Sequence, residues 1–204
     1  MKNNSVEVKK IAGLRHELAE ISKMSFNRGL ISGTGGNISV RIPGTDKILI
    51  TPSGVSLGDV KAEANILCDL DESILDSPLD FKPSKEASFH LSVYRLRTDV
   101  MAIAHLHPPY ATAYSNQASH LPLVTVSSRV NLKMVPWIES ALPGSKELRE
   151  LVSEAIRKYP GIRALLMKEH GILTMGPDLK TAYYLADLVE DTAKIAFIAS
   201  NIAR

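Results

Sequence analysis

The chain has 204 residues, and its composition of 45% hydrophobic and 23% charged residues is typical of a globular protein that buries a full core. A net charge of +2, with both signs interspersed, excludes an electrostatic basis for binding nucleic acid or an acidic membrane. The lone Cys68 excludes an internal disulfide and is expected to be a buried structural thiol. The polar N-terminus has no apolar signal core, and no run reaches transmembrane length. We therefore expect one domain over residues 1–204, in the cytoplasm.

The first third of the chain is predicted to combine one long helix with several short strands. Apolar residues at helical spacing predict a helix from about Ser5 to Arg28, which Gly29 ends. Alternating patterns separated by turn residues predict a hairpin and then two further strands, over Ile38 to Ile42, Lys47 to Thr51, Asn65 to Leu70 and Ser73 to Leu75.

A glycine-rich segment, SGTGGNISVRI at residues 32–42, lies between that helix and the hairpin. Gly33, Gly35 and Gly36 permit positive φ and let backbone N–H groups approach an anion closely. The segment follows a helix and lacks a Gly-Lys-Ser/Thr ending, so it is neither a dinucleotide fingerprint nor a Walker loop. An anion-binding loop and a simple tight turn are both open. The hairpin ends in a second turn rich in small hydroxyl residues, Thr51 to Gly54.

The segment from Pro83 to Pro109 carries the clearest chemical signal. Residues Val100 to Leu106 alternate as in a strand, with Val100, Ala102, Ala104 and Leu106 on one face and Met101, Ile103, His105 and His107 on the other. Residues two apart in a strand project the same way, so His105 and His107 present two imidazoles that can chelate one divalent metal. The alternative is a strand that leaves the core and ends in polar residues.

A helix over residues 84–97 precedes this strand. Ser84 is its predicted N-cap, which places Glu86 in the first turn, where it can face the two histidines. His90 lies one turn after Glu86 and can reach the same site, although a partly buried helix residue is the reading that the pattern favours.

The second half is predicted to alternate helices and strands. The expected elements are a helix at Ala111–Tyr114, a strand at Leu123–Val126, a loop at Pro136–Gly144, a helix at Lys146–Tyr159, strands at Ala164–Met167 and Ile172–Met175, and a helix at Asp178–Asn201. His170-Gly171 falls between two apolar strands, where an imidazole can point out of a sheet. Trp137 is expected to anchor packing within the subunit or against a neighbour, and His120 to lie in a surface turn.

Five short motifs occur in a fixed order along the chain. They are Gly33-x-Gly35-Gly36-Asn37-Ile38-Ser39, Thr51-Pro52-Ser53-Gly54, Pro83-Ser84-x-Glu86, His105-x-His107-Pro108 and His170-Gly171. Each motif is weak alone, but the ordered set resembles the class II aldolase/adducin family over roughly residues 8 to 200.

The resemblance implies an α/β fold, a single three-layer α/β/α domain with a central, mainly antiparallel sheet, assembled as a homotetramer with active sites at subunit interfaces. It also implies a zinc ion held by His105, His107 and His170, with Glu86 as acid/base and sometimes a fourth ligand. Manganese or cobalt would fit the same histidines. The family's phosphate pocket maps onto Gly36, Asn37, Ser53, Gly54, Ser84 and Lys85.

This ligand set is consistent with the chemistry that the resemblance implies. Three neutral imidazoles leave a zinc position open for substrate, as in catalytic sites. The metal can polarise the carbonyl of a hydroxyketone and stabilise the enediolate left by C–C cleavage, while Glu86 moves a proton. The expected activity is that of a ketose 1-phosphate aldolase that releases dihydroxyacetone phosphate and an aldehyde.

Two departures from the aldolase pattern leave alternatives open. Ser84-Lys85-Glu86 replaces Ser-Ser-Glu and looks more like the branch that decarboxylates 3-oxo-tetronate 4-phosphates. Val126 stands where the aldolases bring a tyrosine from a neighbouring subunit, with Tyr110 and Tyr114 as nearby candidates for its role. Epimerases of the family usually carry Asp at the position of Glu86, which ranks epimerisation lower. A non-catalytic adducin-like scaffold would lack the metal-binding histidines, all of which are present here.

Overall fold

The computed structural model describes residues 2–202 and the side chains of residues 7–202. The helices are α1 (Lys2–Asn27), α2 (Ala87–Leu96), α3 (Pro109–Ser115), α4 (Val126–Leu132), α5 (Lys146–Lys158) and α6 (Leu179–Ile202), with a short 3-10 turn at Ala62–Ala64. The strands are β1 (Asn37–Arg41), β2 (Lys47–Ile50), β3 (Ile66–Asp69), β4 (Ile74–Asp76), β5 (Ala102–Leu106), β6 (Trp137–Ile138), β7 (Ala164–Met167) and β8 (Gly171–Gly176).

The strands form one eight-stranded sheet in the order β4-β3-β2-β1-β5-β8-β7-β6. Every neighbouring pair is antiparallel except β6 and β7, so the predicted mainly antiparallel sheet is confirmed. The central strand β5 pairs with β1 on one side and β8 on the other, and Asn37 lies opposite His105 in this register. The middle of the sheet therefore joins three of the sequence motifs.

Helices cover both faces of the sheet, which confirms the predicted three-layer α/β/α arrangement. One core cluster packs helices α1, α3, α4 and α6 on the sheet, through residues that include Leu18, Ala111, Leu132 and Val189. The other packs helices α2 and α5 on the opposite face, through residues that include Phe89, Val93, Val152 and Ile156. Strand β5 alternates between the two clusters as predicted, but Val100 lies before the strand and packs with Ile103 rather than with Ala102.

Two sequence predictions for the segment after α3 were wrong. Val126 begins helix α4 instead of ending a strand, because Thr125 and Ser128 form a capping box: the Thr125 hydroxyl accepts the Ser128 N–H at 3.1 Å, and the Ser128 hydroxyl accepts the Thr125 N–H at 3.2 Å. The predicted loop at 136–144 contains strand β6, whose parallel pairing with β7 is a long-range contact without a local signal.

Two further predictions concern burial and membranes. Cys68 is buried, and this burial, together with the charge of Asp69, raises its pKa to about 11, as expected for a structural thiol. None of the helices in residues 2–202 combines the length and the apolar character needed to cross a bilayer.

Candidate metal centre

Three histidines and one carboxylate meet at the end of strand β5. His105 lies in β5, and His107 follows the strand directly. His170 belongs to the turn between β7 and β8, and Glu86 precedes helix α2. Antiparallel pairing of β8 with β5 brings the turn beside the strand end, and α2 packs on the face to which His105 projects. The fold therefore unites residues up to 84 positions apart in the sequence.

The imidazole Nε2 atoms converge on one point. His105 Nε2 lies 3.0 Å from His107 Nε2 and 3.2 Å from His170 Nε2. Within the described part of the chain, these histidines form a group whose potential ligand atoms all lie within 4.8 Å of one another. His105 is fully buried, while the other two are partly open. This arrangement leaves one side of the group accessible.

The backbone fixes the orientation of the His105 ring. Its Nδ1 lies 2.9 Å from the carbonyl oxygen of Ile172, which can only accept a hydrogen bond. The Nδ1 atom therefore carries the proton, and the lone pair of Nε2 faces the centre. Such a partner behind a histidine is the usual way in which a metal ligand is held in one tautomer.

The carboxylate of Glu86 faces the same point. Its Oε2 atom lies 3.1 Å from His105 Nε2, and its Oε1 atom lies 3.2 Å from His170 Nε2. Asn37 donates a hydrogen bond to Oε2 at 2.9 Å. Burial disfavours the charged carboxylate, but in the absence of metal the His105 and His170 rings outweigh it, when they are protonated, by charge and hydrogen bonding, and they hold the pKa of Glu86 well below its usual range.

The donor set fits a divalent metal ion. Glu86 Oε1 is buried without a hydrogen-bond partner of good geometry among the described residues. Burial, reinforced by the charges of His105 and His170, lowers the pKa of His107 to about 3, so this imidazole is neutral and able to donate a lone pair at neutral pH. Three imidazole nitrogens crowded around a carboxylate, with one open side, match the chemistry of catalytic zinc sites.

Two glycines leave the space that the His107 ring occupies, a role that the sequence analysis missed. A Cβ atom on Gly35 would lie 2.9 Å from His107 Nδ1, and one on Gly171 would lie 2.6 Å from His107 Cδ2 and overlap the carbonyl oxygen of Leu106. Gly33 and Gly36 have positive φ as predicted, but Gly35 does not. Its absent side chain serves the close approach instead, which no local pattern reveals.

A cavity of about 290 Å³ adjoins the centre. All six residues predicted for the phosphate pocket line it, namely Gly36, Asn37, Ser53, Gly54, Ser84 and Lys85. The backbone N–H groups of Ser53 and Ser84 donate to the carbonyls of Lys82 and Thr51. These two N–H groups are therefore not available to an anion. Ser53 and Ser84 can offer their hydroxyls to it, and Lys85 can offer its ammonium group. Thr34 and Pro143 also line the cavity and were not predicted.

Ser84 is not the N-cap of helix α2, contrary to the sequence prediction. The helix begins at Ala87 with Glu86 as the N-cap residue, and the Ser84 hydroxyl accepts the Glu86 N–H at 3.3 Å. Glu86 does not cap the helix with its side chain, because its carboxylate turns to the histidines. The Glu86 side chain therefore contributes to the histidine site and not to capping of helix α2.

The other candidate residues lie away from this centre. His90 is fully buried, and its Nδ1 lies 2.7 Å from the Ser39 hydroxyl, outside the histidine group. His120 is exposed and meets the ring of Tyr159 edge-on, a partner that the sequence did not indicate. Tyr110 and Tyr114 line a separate cavity of about 650 Å³ between α3 and α6. Val126 is 69% exposed.

Comparisons with known proteins agree with this geometry. The model of the Class II Aldolase and Adducin N-terminal domain matches residues 16–197. An L-fuculose phosphate aldolase from Methanococcus maripaludis is 33% identical over 186 residues, which cover 91% of this chain and 97% of the relative. A 3-oxo-tetronate 4-phosphate decarboxylase from Haemophilus influenzae is 32% identical, covering 88% and 85%. A solved L-fuculose 1-phosphate aldolase superposes with a TM-score of 0.84 at 32% identity, covering 93% of this chain and 87% of that one.

Proposed function

The chain belongs to the class II aldolase and adducin family, and we propose that it is a zinc-dependent lyase that cleaves a carbon–carbon bond of a phosphorylated sugar. The observation that carries this proposal is the convergence of three imidazole Nε2 atoms with the Glu86 carboxylate. The ligands are His105, His107 and His170. Bound zinc would supply a Lewis acid that polarises a substrate carbonyl; manganese or cobalt would suit the same donors.

The protein's own groups account for substrate positioning and proton transfer. Lys85 and the hydroxyls of Ser53 and Ser84 bind the phosphate in the adjoining cavity, which fixes the reacting carbons beside Glu86. The side-chain amide of Asn37 donates a hydrogen bond to Oε2 of Glu86. Oε1 is therefore the atom that takes a proton from a substrate carbon or returns it. This division of labour assigns Glu86 chiefly to acid/base work, with a ligand role as a secondary function.

The favoured reaction is that of a ketose 1-phosphate aldolase, which yields dihydroxyacetone phosphate and an aldehyde. Relatives that cover most of this chain support this choice, because their names describe aldolases of a sugar phosphate. The particular sugar depends on side chains beyond the phosphate pocket.

A decarboxylase of 3-oxo-tetronate 4-phosphates is the second candidate, and Lys85 is the observation that favours it. This lysine is exposed at the rim of the cavity next to Glu86. Its ammonium can pair with a substrate carboxylate as well as with a phosphate. Loss of carbon dioxide would leave the same kind of carbanion for the centre to stabilise.

A non-catalytic adducin-like scaffold is the candidate from another functional class. It would purify without stoichiometric zinc, so metal analysis of the protein separates the two. His105→Ala should abolish zinc binding, because it removes the most buried ligand. His120→Ala is a matched control that removes an exposed histidine and should leave the zinc content unchanged.

The reaction is tested by exchange into dihydroxyacetone phosphate in D2O with zinc-loaded protein, followed by NMR. Exchange at the hydroxymethyl carbon is expected, because Glu86 should remove a proton there. Absence of exchange by a protein that holds zinc would set the aldolase aside. Release of carbon dioxide from a 3-oxo acid phosphate would then be the reaction to measure.

The expected homotetramer belongs to this proposal as well. Exposed apolar side chains on α4 and α6 support it, since Val126 is 69%, Val130 64% and Phe197 50% exposed. Sedimentation velocity measures the assembly directly, and a monomer at micromolar concentration would contradict it. The cytoplasmic location stays a prediction.

A further inference from the structure

Helix α3 connects the two partly open metal ligands. It begins at Pro109, two residues after His107. Its C-cap residue is Asn116, whose Oδ1 atom accepts the backbone N–H of Glu169 at 3.0 Å, directly before His170. The helix therefore spans from one ligand to the other. Neither end of it supplies an atom to the centre.

The first turn of α3 is held by another helix. Its N-cap residue Pro108 provides no side-chain cap, and Pro109 has no N–H to offer. Glu190 on α6 takes over this role: its Oε1 atom accepts the N–H of Tyr110 at 3.0 Å and its Oε2 atom accepts that of Ala111 at 2.8 Å. A carboxylate in this place also suits the positive end of the helix dipole.

Side-chain packing reinforces the contact between α3 and α6. The rings of Tyr110 and Phe197 lie 5.7 Å apart, and the Lys194 ammonium lies 5.7 Å from the Tyr110 ring centroid. Ala111 is fully buried. The start of α3, and with it the chain that leaves His107, is thus fixed relative to the long helix α6.

The position of His107 depends on this support more than that of His105 does. The Ile172 carbonyl orients the His105 ring, whereas the polar atom near the His107 ring in the described chain is Nε2 of His105 itself, at 3.0 Å. Two features fix the position of the His107 ring. One is the space that Gly35 and Gly171 leave for it, and the other is its backbone, which runs from β5 into α3.

At the other end, Glu169 has a φ of +57°, a left-handed conformation that costs free energy for a residue with a side chain. The hydrogen bond from its N–H to Asn116 stabilises this conformation. Because His170 follows directly, the turn geometry sets where its imidazole lies.

We propose that Glu190 and Asn116 are positioning residues of the metal centre, which hold His107 and His170 at ligand distance from each other through helix α3. This inference rests on the proposed metal function, since it concerns the same histidines. It assigns a role to two polar side chains that touch neither metal ligand nor substrate cavity.

Zinc affinity of the purified protein, measured by competition with a chelating dye, tests the proposal. Glu190→Ala and Asn116→Ala should each weaken zinc binding by about 10- to 100-fold, the range found for partners behind metal ligands. Asn116→Asp keeps an acceptor for the Glu169 N–H and should restore most of the affinity. Asp191→Ala, which removes the exposed carboxylate next to Glu190, is the matched control and should bind zinc like the unmodified chain.

Cobalt substitution supplies a readout that a merely structural role would not move. The absorption bands of Co²⁺ depend on the ligand geometry, so Glu190→Ala and Asn116→Ala should alter them, while Asp191→Ala should not. A variant with a lower melting temperature but unchanged zinc affinity and cobalt spectrum would overturn the proposal.

The outcomes separate this proposal from the proposed function. If the unmodified chain binds no zinc, the metal centre itself is wrong. If it binds zinc and the variants bind equally well, only the positioning role fails. If Glu190→Ala does not fold, the positioning role is tested with Glu190→Gln, which keeps one acceptor. Comparison of Asn116→Ala with Asn116→Asp tests the same role at the other end of α3.

Discussion

The side-chain amide of Asn37 donates a hydrogen bond of 2.9 Å to Oε2 of Glu86. Asn37 lies in β1 opposite His105 of β5, while Glu86 lies at the start of α2. The bond therefore ties the carboxylate to the strand that lies alongside the metal ligand. It keeps Oε2 hydrogen-bonded and leaves Oε1, 3.2 Å from His170 Nε2, without a hydrogen-bond partner of good geometry among the described residues.

Replacing Asn37 with Asp should shift the acidic limb of the pH–rate profile for proton exchange to higher pH, by roughly 1–3 units. The new carboxylate would lie in contact with Glu86, and a like charge raises the pKa of a carboxyl group. Activity should recover as the pH rises, which a pH–rate profile measures. Asn131→Asp, on the exposed side of α4, is the control. An unshifted profile for Asn37→Asp would show that the two groups are not coupled.

Glu86→Gln should retain zinc but reduce deuterium exchange by about 10²- to 10⁴-fold, the usual contribution of a general acid or base. The amide oxygen can still accept the hydrogen bond from Asn37, so the local geometry is preserved. Zinc content and exchange rate are measured on the same preparation. Loss of both together would instead make Glu86 primarily a ligand.

Lys85→Ser should change the preference between acidic and neutral sugar phosphates. The lysine contributes a positive charge at the cavity rim, so its removal should weaken turnover of a substrate with an added carboxylate by about 10-fold more than that of a neutral one. The ratio of kcat/KM for the two substrates is the measurement. Equal, unchanged activity on both would refute a role of Lys85 in selecting the reaction.

Gly171→Ala should destabilise the protein by about 1–3 kcal/mol and reduce zinc retention, because the added methyl group overlaps the Leu106 carbonyl oxygen and presses on the His107 ring. Gly13→Ala is the control on helix α1, where the methyl group meets no atom within 4 Å. That change should stabilise the helix by about 0.5–1 kcal/mol. Urea unfolding and metal analysis compare the two variants. Equal stability of both would contradict the claim that Gly171 leaves the space that the His107 ring needs.

The buried His90 should make stability depend on pH. Burial, together with the charge of His105, lowers its pKa to about 3 in the folded protein, well below the ordinary histidine pKa of 6.5. The unfolded chain therefore binds the proton first, and the contribution of neutral His90 to stability is present above pH 6.5 and is lost as the pH falls towards 3.

The measurement is urea unfolding of chelator-treated protein between pH 7 and 4.5. The free energy of unfolding should fall by up to about 1.4 kcal/mol per pH unit more steeply in the unmodified chain than in His90→Asn. Parallel curves would mean that folding does not lower the pKa of His90.

The sequence by itself determined the local parts of this molecule. The alternation from Val100 to Leu106 predicted a strand, which the structure has as β5 from Ala102 to Leu106, and the period of two placed His105 and His107 side by side, since strand geometry is a property of neighbouring residues. The three-layer fold followed from the resemblance carried by five ordered motifs and is confirmed. The limits of the domain, and the roles of the site residues, stay predictions.

The tertiary structure alone decided how the distant groups meet. Pairing of β8 with β5 brings His170 to His105, and packing of α2 on the sheet brings Glu86 there, whereas no local pattern encodes either approach. Only the folded chain shows that Gly35 and Gly171 leave space for His107 and that Glu190 holds α3. The physical reason is that periodicity and capping act over a few residues, while these contacts depend on which faces pack together.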